Sequence, residues 1–500
     1  MRLALRARTV SRPSPSRSIQ GARARLGRCA QLHRESLQDR ESFWLREAAA
    51  LAWLRPPEHA FEGELAEGEV SWFGDGLLNA TVSCVDRHAA LDPHRPALIW
   101  LRAEGDVETV SFQALRRRMC SMANVLLAHG VRAQDRVALY LPMGAPLVAA
   151  ALACARIGAV HLLLSARAGP DVIRRALRVA RARVLVTANE AELDGRRERI
   201  ALWEHADEAL SGLGRVEAVL VHRRTAAGVP LAYARDHDLE RALAQVRPTC
   251  PPAQMTGEDS LLLAMPPEDD GGRLLVHGTA GFLLHSLLVH REVLGVGPAS
   301  RVLCLADLAG GRIDVLYGTL ALGGTLVLDE RGDGLDRLEA LGVTHLIGRS
   351  AELATAAAAA PLRAALDEGA TGSRPDVEAV WSSEGAGMLV ARWPSAGATP
   401  LFGVDPLLLD ARGAPALPGA EAELCARASW PSQPRTLEAD HARFVEHRLK
   451  RPHGVYRTGE RCRVQPDGTP VWIGRGRDAA LVALTSSPEP ALPSGIHGRA

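Results

Sequence analysis

An α/β fold with parallel sheets is the class this sequence supports, and three observations carry it. The first is the stretch from Asp135 to Leu164. Arg136 to Leu141 alternates and then runs apolar, as a buried strand does, and Pro142, Gly144 and Pro146 punctuate it. Leu147 to Ile157 is apolar on nearly every face, the pattern of a helix packed inside a large protein. Gly158 stands where a left-handed cap ends that helix, and Ala159 to Leu164 returns as a second strand. Strand, buried helix, strand is a right-handed βαβ unit. The second observation is recurrence: a helical pattern at Asp171 to Ala180 precedes a strand at Arg183 to Thr187, and Leu338 to Ile347 reads as a helix end followed by a strand. The third is length, since 500 residues supply a large core and two or three subdomains. The near charge-free run is not a membrane span, because two prolines and a glycine interrupt it and charges sit tight on both sides.

A formal charge of +1 gives no reason to expect nucleic acid or a membrane surface as partner. Lys450 is the only lysine, so any chemistry that needs one must use it or go without. The eight cysteines show no C-x-x-C spacing and read as reduced, mostly buried thiols of an intracellular protein, not as disulfides or a metal site.

Residues 1–34 are rich in arginine and serine and hold no Asp or Glu. That composition fits a mitochondrial presequence or a disordered leader, and with no apolar secretory core it argues against export. The expected location is the mitochondrial matrix or the cytoplasm. From Glu35 to Pro57 one amphipathic helix is expected. Trp72-Phe73 reads as core, and Asp86-Arg87-His88 as a structural clamp. Val110 to Leu127 is a helix whose Arg116, Arg117 and Arg118 form a solvated face. Thr225 to Asp259 reads as a surface connection.

Several stretches carry a resemblance. They are ANVLLAHGVRAQDRVALYLPM with ACARIGAVH, Phe43-Trp44, WFGDGLLNATVSCVDRHAAL (Trp72 to Leu91), ALIW (Ala97 to Trp100), HADEAL (His205 to Leu210), VLVHRRT (Val219 to Thr225), FGVDP (Phe402 to Pro406), SWPSQPRTLEADHARF (Ser429 to Phe444) and YRTGE (Tyr456 to Glu460). Together they touch most of residues 40–480, and they resemble the AMP-forming acetyl-CoA synthetases, the short-chain branch of the adenylate-forming superfamily. The resemblance implies the N-terminal domain of that superfamily, with parallel α/β subdomains and a smaller β-rich one. The expected organisation is a leader at 1–34, the N-terminal segment with a first α/β subdomain at 35–259, a second at 260–398, a β-rich subdomain at 399–484 and a disordered tail at 485–500. The inherited reaction would join ATP and acetate into acetyl-AMP and pyrophosphate, then form the thioester with CoA.

The resemblance also locates departures. Leu261 to Met265 reads as a strand, and RLLVHGTAGFLL (Arg273 to Leu284) resembles the family's following strand and helix. Between such strands the family places T-S-G-S-T-G-x-P-K-G, whose backbone N–H groups, hydroxyls and lysine hold phosphates. Here the connection is PPEDDGG, Pro266 to Gly272. Two prolines remove donors, Glu268, Asp269 and Asp270 bring negative charge, and Arg273 is the nearby cation. Like charges at a partly exposed site cost on the order of 1–4 kcal/mol each. Lost charge-assisted hydrogen bonds add roughly 1.5–3 kcal/mol apiece, enough together to erase micromolar ATP binding. The alternative is that these carboxylates hold a divalent cation bridging to phosphate.

By the same resemblance Glu384, in WSSEGAG, stands for the carboxylate associated with Mg²⁺ and the phosphates. Glu460, in Thr458-Gly459-Glu460, stands for the ribose-binding Asp, and Arg475 for the ribose- and phosphate-facing Arg. Arg196, Arg197 and Arg199, in LDGRRERIAL, fall near the turn that grips the 3′-phosphate of CoA, although an exposed basic turn would look the same. AGGRID replaces the family's acetate-pocket segment, and Arg312 and Asp314 there read equally as a surface pair. The segment covering adenine and the C-terminal lid have no counterpart in the sequence. The expectation is a protein of acetate and acyl-CoA metabolism whose catalysis is impaired. ATP with Mg²⁺, CoA and acetate or another short acyl acid are the ligands implied by family. Two alternatives stand: an active or partner-completed ligase, and a non-catalytic subunit of an intact homologue.

Overall fold

The computed structural model of the chain describes residues 15–193, 198–231, 234–265, 273–348, 364–367, 377–382, 387–393, 397–450, 454–466 and 470–475. It opens with α1 (Pro15–Gln38) and α2 (Arg40–Ala48). The leader boundary expected at residue 34 therefore falls inside a helix. Cys29 and Leu32 of α1 are buried, and a His33 ring nitrogen lies 2.8 Å from the Val404 carbonyl. The arginines hid a sparse apolar seam that docks this helix. The single helix expected from Glu35 to Pro57 is broken at Asp39, whose carboxylate accepts from the Ser42 N–H at 3.3 Å and starts α2. Phe43 and Trp44 of α2 are buried, and Trp44 meets Trp72 edge-on at 5.5 Å.

Next come β1 (Pro96–Leu101), β2 (Val107–Ser111), α3 (Phe112–Ala128), β3 (Arg136–Tyr140), α4 (Ala145–Ile157), β4 (Val160–Leu164) and α5 (Pro170–Ala180). β3 and β4 are parallel neighbours joined through α4, as the sequence predicts. Every α4 residue except Pro146 is buried. Gly158 caps it at φ 73°, and a Cβ there would lie 2.4 Å from the Met255 sulfur, so glycine is required twice over. Then follow β5 (Val184–Ala188), the hairpin β6 (Ala191–Leu193) and β7 (Glu198–Ile200), α6 (Leu202–Leu210), β8 (Ala218–His222) and β9 (Asp236–Asp238).

The second half contains β10 (Ser260–Ala264), β11 (Leu275–Gly278), α7 (Thr279–Val289), β12 (Arg301–Cys304), α8 (Ile313–Ala321), β13 (Thr325–Asp329) and β14 (His345–Gly348). β15 (Ala364–Asp367), β16 (Val377–Ser382), β17 (Gly387–Trp393) and β18 (Gly397–Pro400) follow. The last elements used below are β19 (Pro406–Leu409), β20 (Glu421–Ala426), β21 (Thr436–Leu437), β22 (Tyr456–Val464) and β23 (Pro470–Arg475).

Among the described residues two large sheets form. One has the order β9-β8-β5-β3-β4-β10-β11-β21, parallel from β9 to β10 and antiparallel beyond. The other runs β18-β17-β16-β15-β14-β12-β13-β1-β2, parallel from β16 to β1 with antiparallel edges. A four-stranded antiparallel sheet, β19-β20-β22-β23, completes the fold. The boundary expected at residue 259 does not separate the two large sheets. β1 and β2 cross into the second sheet, while β10 and β11 extend the first. Thr225 to Asp259 is likewise more than a surface connection, because it contributes β9 to the sheet edge.

Charged side chains lock the two large sheets together. Arg224, just after β8, donates from Nε to Glu330, just after β13, at 2.7 Å and from Nη1 to Glu104. The indole N–H of Trp100 donates to the other Glu330 oxygen at 3.0 Å. Arg224 and Glu330 are almost wholly buried, so breaking the pair would leave an uncompensated charge at about 3–5 kcal/mol. The clamp at Asp86-Arg87-His88 is structural as expected. Asp86 pairs with Arg156 and with Arg116 at 2.9 Å, and Arg87 donates to the carbonyls of Ala50 and Ala321. All eight cysteines are free and buried. Among the described residues no helix is long and apolar enough to cross a membrane.

Six histidines are buried among the described residues, and burial favours the neutral form of five of them. Burial lowers His88, His285 and His290 to about 4 and His161 and His277 to about 3. Their folded pKa values lie below the unfolded one, so the stability they allow is present above pH 6.5 and is lost as pH falls through that range. At pH 5.5 each costs about 1.4 kcal/mol, a total of roughly 7 kcal/mol against a typical stability of 5–15. Urea titrations should show a flat stability from pH 8 to 7 and a steep fall between pH 6 and 5. Unchanged stability down to pH 4.5 would contradict the neutral assignment.

Candidate functional site

The nucleotide-facing residues expected from the sequence fall on the β10–β11 connection, the β16–β17 connection and the paired strands β22 and β23. The antiparallel pair β10–β11 ends at Ala264 opposite Leu275. β11 is held on its far side by β21, through Leu275 opposite Leu437 and Val276 opposite Thr436. The connection Pro266 to Gly272, with Glu268, Asp269 and Asp270, lies outside the described residues. Its two anchors are thus set while its own path is not described.

β16 and β17 form the second element, with Ser382 opposite Gly387. Glu384 falls in the connection between them, which also lies outside the described residues. Its base rests on α7: Gly387 has φ 148°, a Cβ there would lie 3.4 Å from His285, and the His285 ring nitrogen is 3.5 Å from the Met388 carbonyl. β16 also runs beside β22.

β22 carries Thr458-Gly459-Glu460. Leu424 faces Glu460 while Cys425 faces Arg457, so Thr458 and Gly459 are extra residues that bulge from the strand. Gly459 takes φ 75°, and the Thr458 hydroxyl donates to the Leu424 carbonyl and accepts from the Glu460 N–H at 3.1 Å. Glu423 braces the bulge, accepting from Arg457 Nε and from the Gly459 N–H, each at 3.0 Å. Sequence reasoning missed Glu423, since nothing local marks one Glu of a β-strand as the partner of a bulge thirty-odd residues on. Glu460 is only 2% exposed. In backbone register it stands opposite Arg475 of β23.

The CoA-facing candidates lie on a different element, the β6–β7 hairpin at the edge of the first sheet. Arg196 and Arg197 lie outside the described residues. Arg199 stands opposite Glu192 and pairs with it at 3.0 Å, with Glu190 at 4.0 Å, so its guanidinium is engaged by carboxylates. Glu198 pairs with Arg167. Arg312 and Asp314 are 7% and 1% exposed at the start of α8, which corrects the surface-pair alternative. Among the described residues no group of three or more His, Cys, Asp or Glu is arranged to hold a metal ion.

The geometry is that of a known fold. The family descriptions "Acetyl-coenzyme A synthetase N-terminus" and "AMP-binding enzyme" match residues 29–84 and 85–263. Acetyl-coenzyme A synthetase of Parvibaculum lavamentivorans is 31% identical, over 90% of this chain and 76% of the relative. This chain belongs to the AMP-forming acetyl-CoA synthetase family. The acetyl-coenzyme A synthetase of Coprinopsis cinerea is 32% identical over 90% of the chain and 75% of that protein. The solved acetoacetyl-CoA synthetase of Streptomyces lividans superposes with a TM-score of 0.80 at 20% identity, covering 93% of this chain and 79% of that one, a likeness of fold. In this acetyl-CoA synthetase family member, the SWPSQPR stretch is a structural clamp. Arg435 holds both Glu258 oxygens, at 3.0 and 2.8 Å, and the Trp72 indole donates to Ser429 at 2.9 Å.

Glu423 and Arg199 offer a contrast that thermal melting checks. Glu423→Ala should destabilise by about 2 kcal/mol, because a half-buried guanidinium and a bulge N–H lose their acceptor together. Arg199→Gln, where the guanidinium itself is exposed, should change stability by less than about 1 kcal/mol. Equal effects would mean that Glu423 does not brace the bulge.

Proposed function

We propose that this chain keeps the acetyl-CoA synthetase scaffold and performs adenylation weakly or not at all. The observation that carries the reading is the connection PPEDDGG between β10 and β11. Where the resembled enzymes present donors and a lysine to a triphosphate, this segment presents three carboxylates and two residues without an N–H. Arg273 supplies one positive charge at its end. Two further observations support the reading. Glu460 is closed off from solvent within a braced bulge, and Arg199 is already paired. Glu384, Glu460 and Arg475 stand as residual nucleotide positions, with Glu384 the Mg²⁺ position, and Arg196 and Arg197 as the remaining CoA-facing pair. Acetate or another short acyl acid, ATP with Mg²⁺, and CoA are the ligands that this site inherits. The matrix or the cytoplasm is its proposed location.

The test is ATP–pyrophosphate exchange with acetate and Mg²⁺. The reading expects a rate indistinguishable from the blank without protein; exchange well above that blank would overturn it. A repaired variant, Glu268→Ser with Asp269→Gly and Asp270→Ser, should bind ATP at least about tenfold tighter than the parent.

A further inference from the structure

At the opposite end of β5 from the β6–β7 hairpin, the chain forms a cavity of about 410 Å³, widely open to solvent, between the end of α5 and the loop that enters β8. Arg178, Arg181 and Arg215 line it over an apolar floor of Leu177, Leu213 and Val216. Among the described residues none of the three arginines makes an ion pair or a side-chain hydrogen bond. Their neighbours differ. Arg183 pairs with Glu217 at 2.8 Å and with Asp135 at 3.2 Å, and Arg174 donates to the carbonyls of Ser211 and Glu208 at 3.0 and 2.6 Å. The last carbonyls of α5 take backbone partners, Arg178 from the Arg181 N–H at 3.2 Å and Leu177 from the Ala182 N–H at 3.1 Å. The three guanidiniums are therefore spent neither on carboxylates nor on closing the helix. Arg181 also holds φ 51°, a position that glycine usually fills.

We infer that this cavity is a binding site for a small multivalent phosphate. Three permanent cations around one cavity repel each other, and an anion carrying two or more charges reverses that interaction. Guanidinium forks match phosphate oxygens in pairs, which a halide or a monocarboxylate does not exploit. The cavity accommodates one or two phosphate groups, with the floor left for an apolar body. An extended polyanion is disfavoured, because Glu217 follows Val216 directly and the adjacent Arg183 and Arg174 are already engaged. The site shares no residue with the nucleotide reading, and β5 separates it from the CoA-facing hairpin.

The experiment is calorimetric titration of the full chain with inorganic pyrophosphate, and with inorganic phosphate as the weaker probe. Pyrophosphate should bind saturably with a dissociation constant below about 1 mM at low salt, and more weakly at 0.2 M salt. The triple variant Arg178→Gln/Arg181→Gln/Arg215→Gln should weaken it by about tenfold or more, and Arg215→Gln alone, in an exposed loop where folding is not at stake, by about threefold. Arg174→Gln should leave it unchanged. Absence of saturation at about 5 mM pyrophosphate, or binding untouched by both the triple variant and Arg215→Gln, would overturn the assignment.

Discussion

The burial of α7 is the constraint on which the rest of this molecule depends. All eleven residues from Thr279 to Val289 are buried, so the helix can sit only where every face is matched. Thr279 is held by the Asp259 carbonyl through both its N–H and its hydroxyl. Gly281 lies under the Pro431 carbonyl, where a Cβ would approach to 2.1 Å. His285 meets the base of the β16–β17 hairpin, and Gly318 of α8 leaves room for His290, whose Nδ1 would lie 2.4 Å from a Cβ there. One rod thus places the strand β11, the paired strands β16 and β17, the SWPSQPR clamp and α8. A chain that keeps this packing keeps the frame of its family whatever happens in the connections.

The charges follow a similar logic. With a single lysine, the ion pairs of the interior are built from arginine, and its planar fork allows one residue to tie two or three elements. Arg224 ties β8 to Glu330 and Glu104, Arg435 ties the clamp to Glu258, and Arg156 ties Asp86 to the Cys250 carbonyl. These pairs give register between sheets more than net stability, because the desolvation of both partners offsets most of the attraction.

Legibility in the sequence followed the range of the interaction. The βαβ unit at Arg136 to Leu164 was plain because its signals are local: an apolar run, punctuation by Pro142 and Gly144, and a glycine cap at Gly158. The allocation of strands to sheets was not, because β1 finds β13 more than two hundred residues later, and no pattern within Pro96–Leu101 says so. The same holds for Glu423 and for the burial of Arg312 and Asp314, which only the packed neighbours decide. In α1 the composition misled, since arginine enrichment masked the few apolar positions that dock. The candidate site was legible as positions, through resemblance at Glu384, Glu460 and Arg475, and one of its relations, Glu460 opposite Arg475, needed the strand register to appear.

Scaffold and chemistry therefore separate in this chain. The packing around α7 and the braced bulge on β22 form the frame, and the acidic connection after β10 is where the proposed loss of phosphate chemistry rests. Calorimetric titration with ATP·Mg²⁺ and, in parallel, with AMP tests that separation most directly. The account predicts no saturable ATP heat at concentrations up to about 1 mM, with any AMP binding exceeding it because AMP lacks the β- and γ-phosphates. Micromolar ATP binding, tighter than that of AMP, would contradict it.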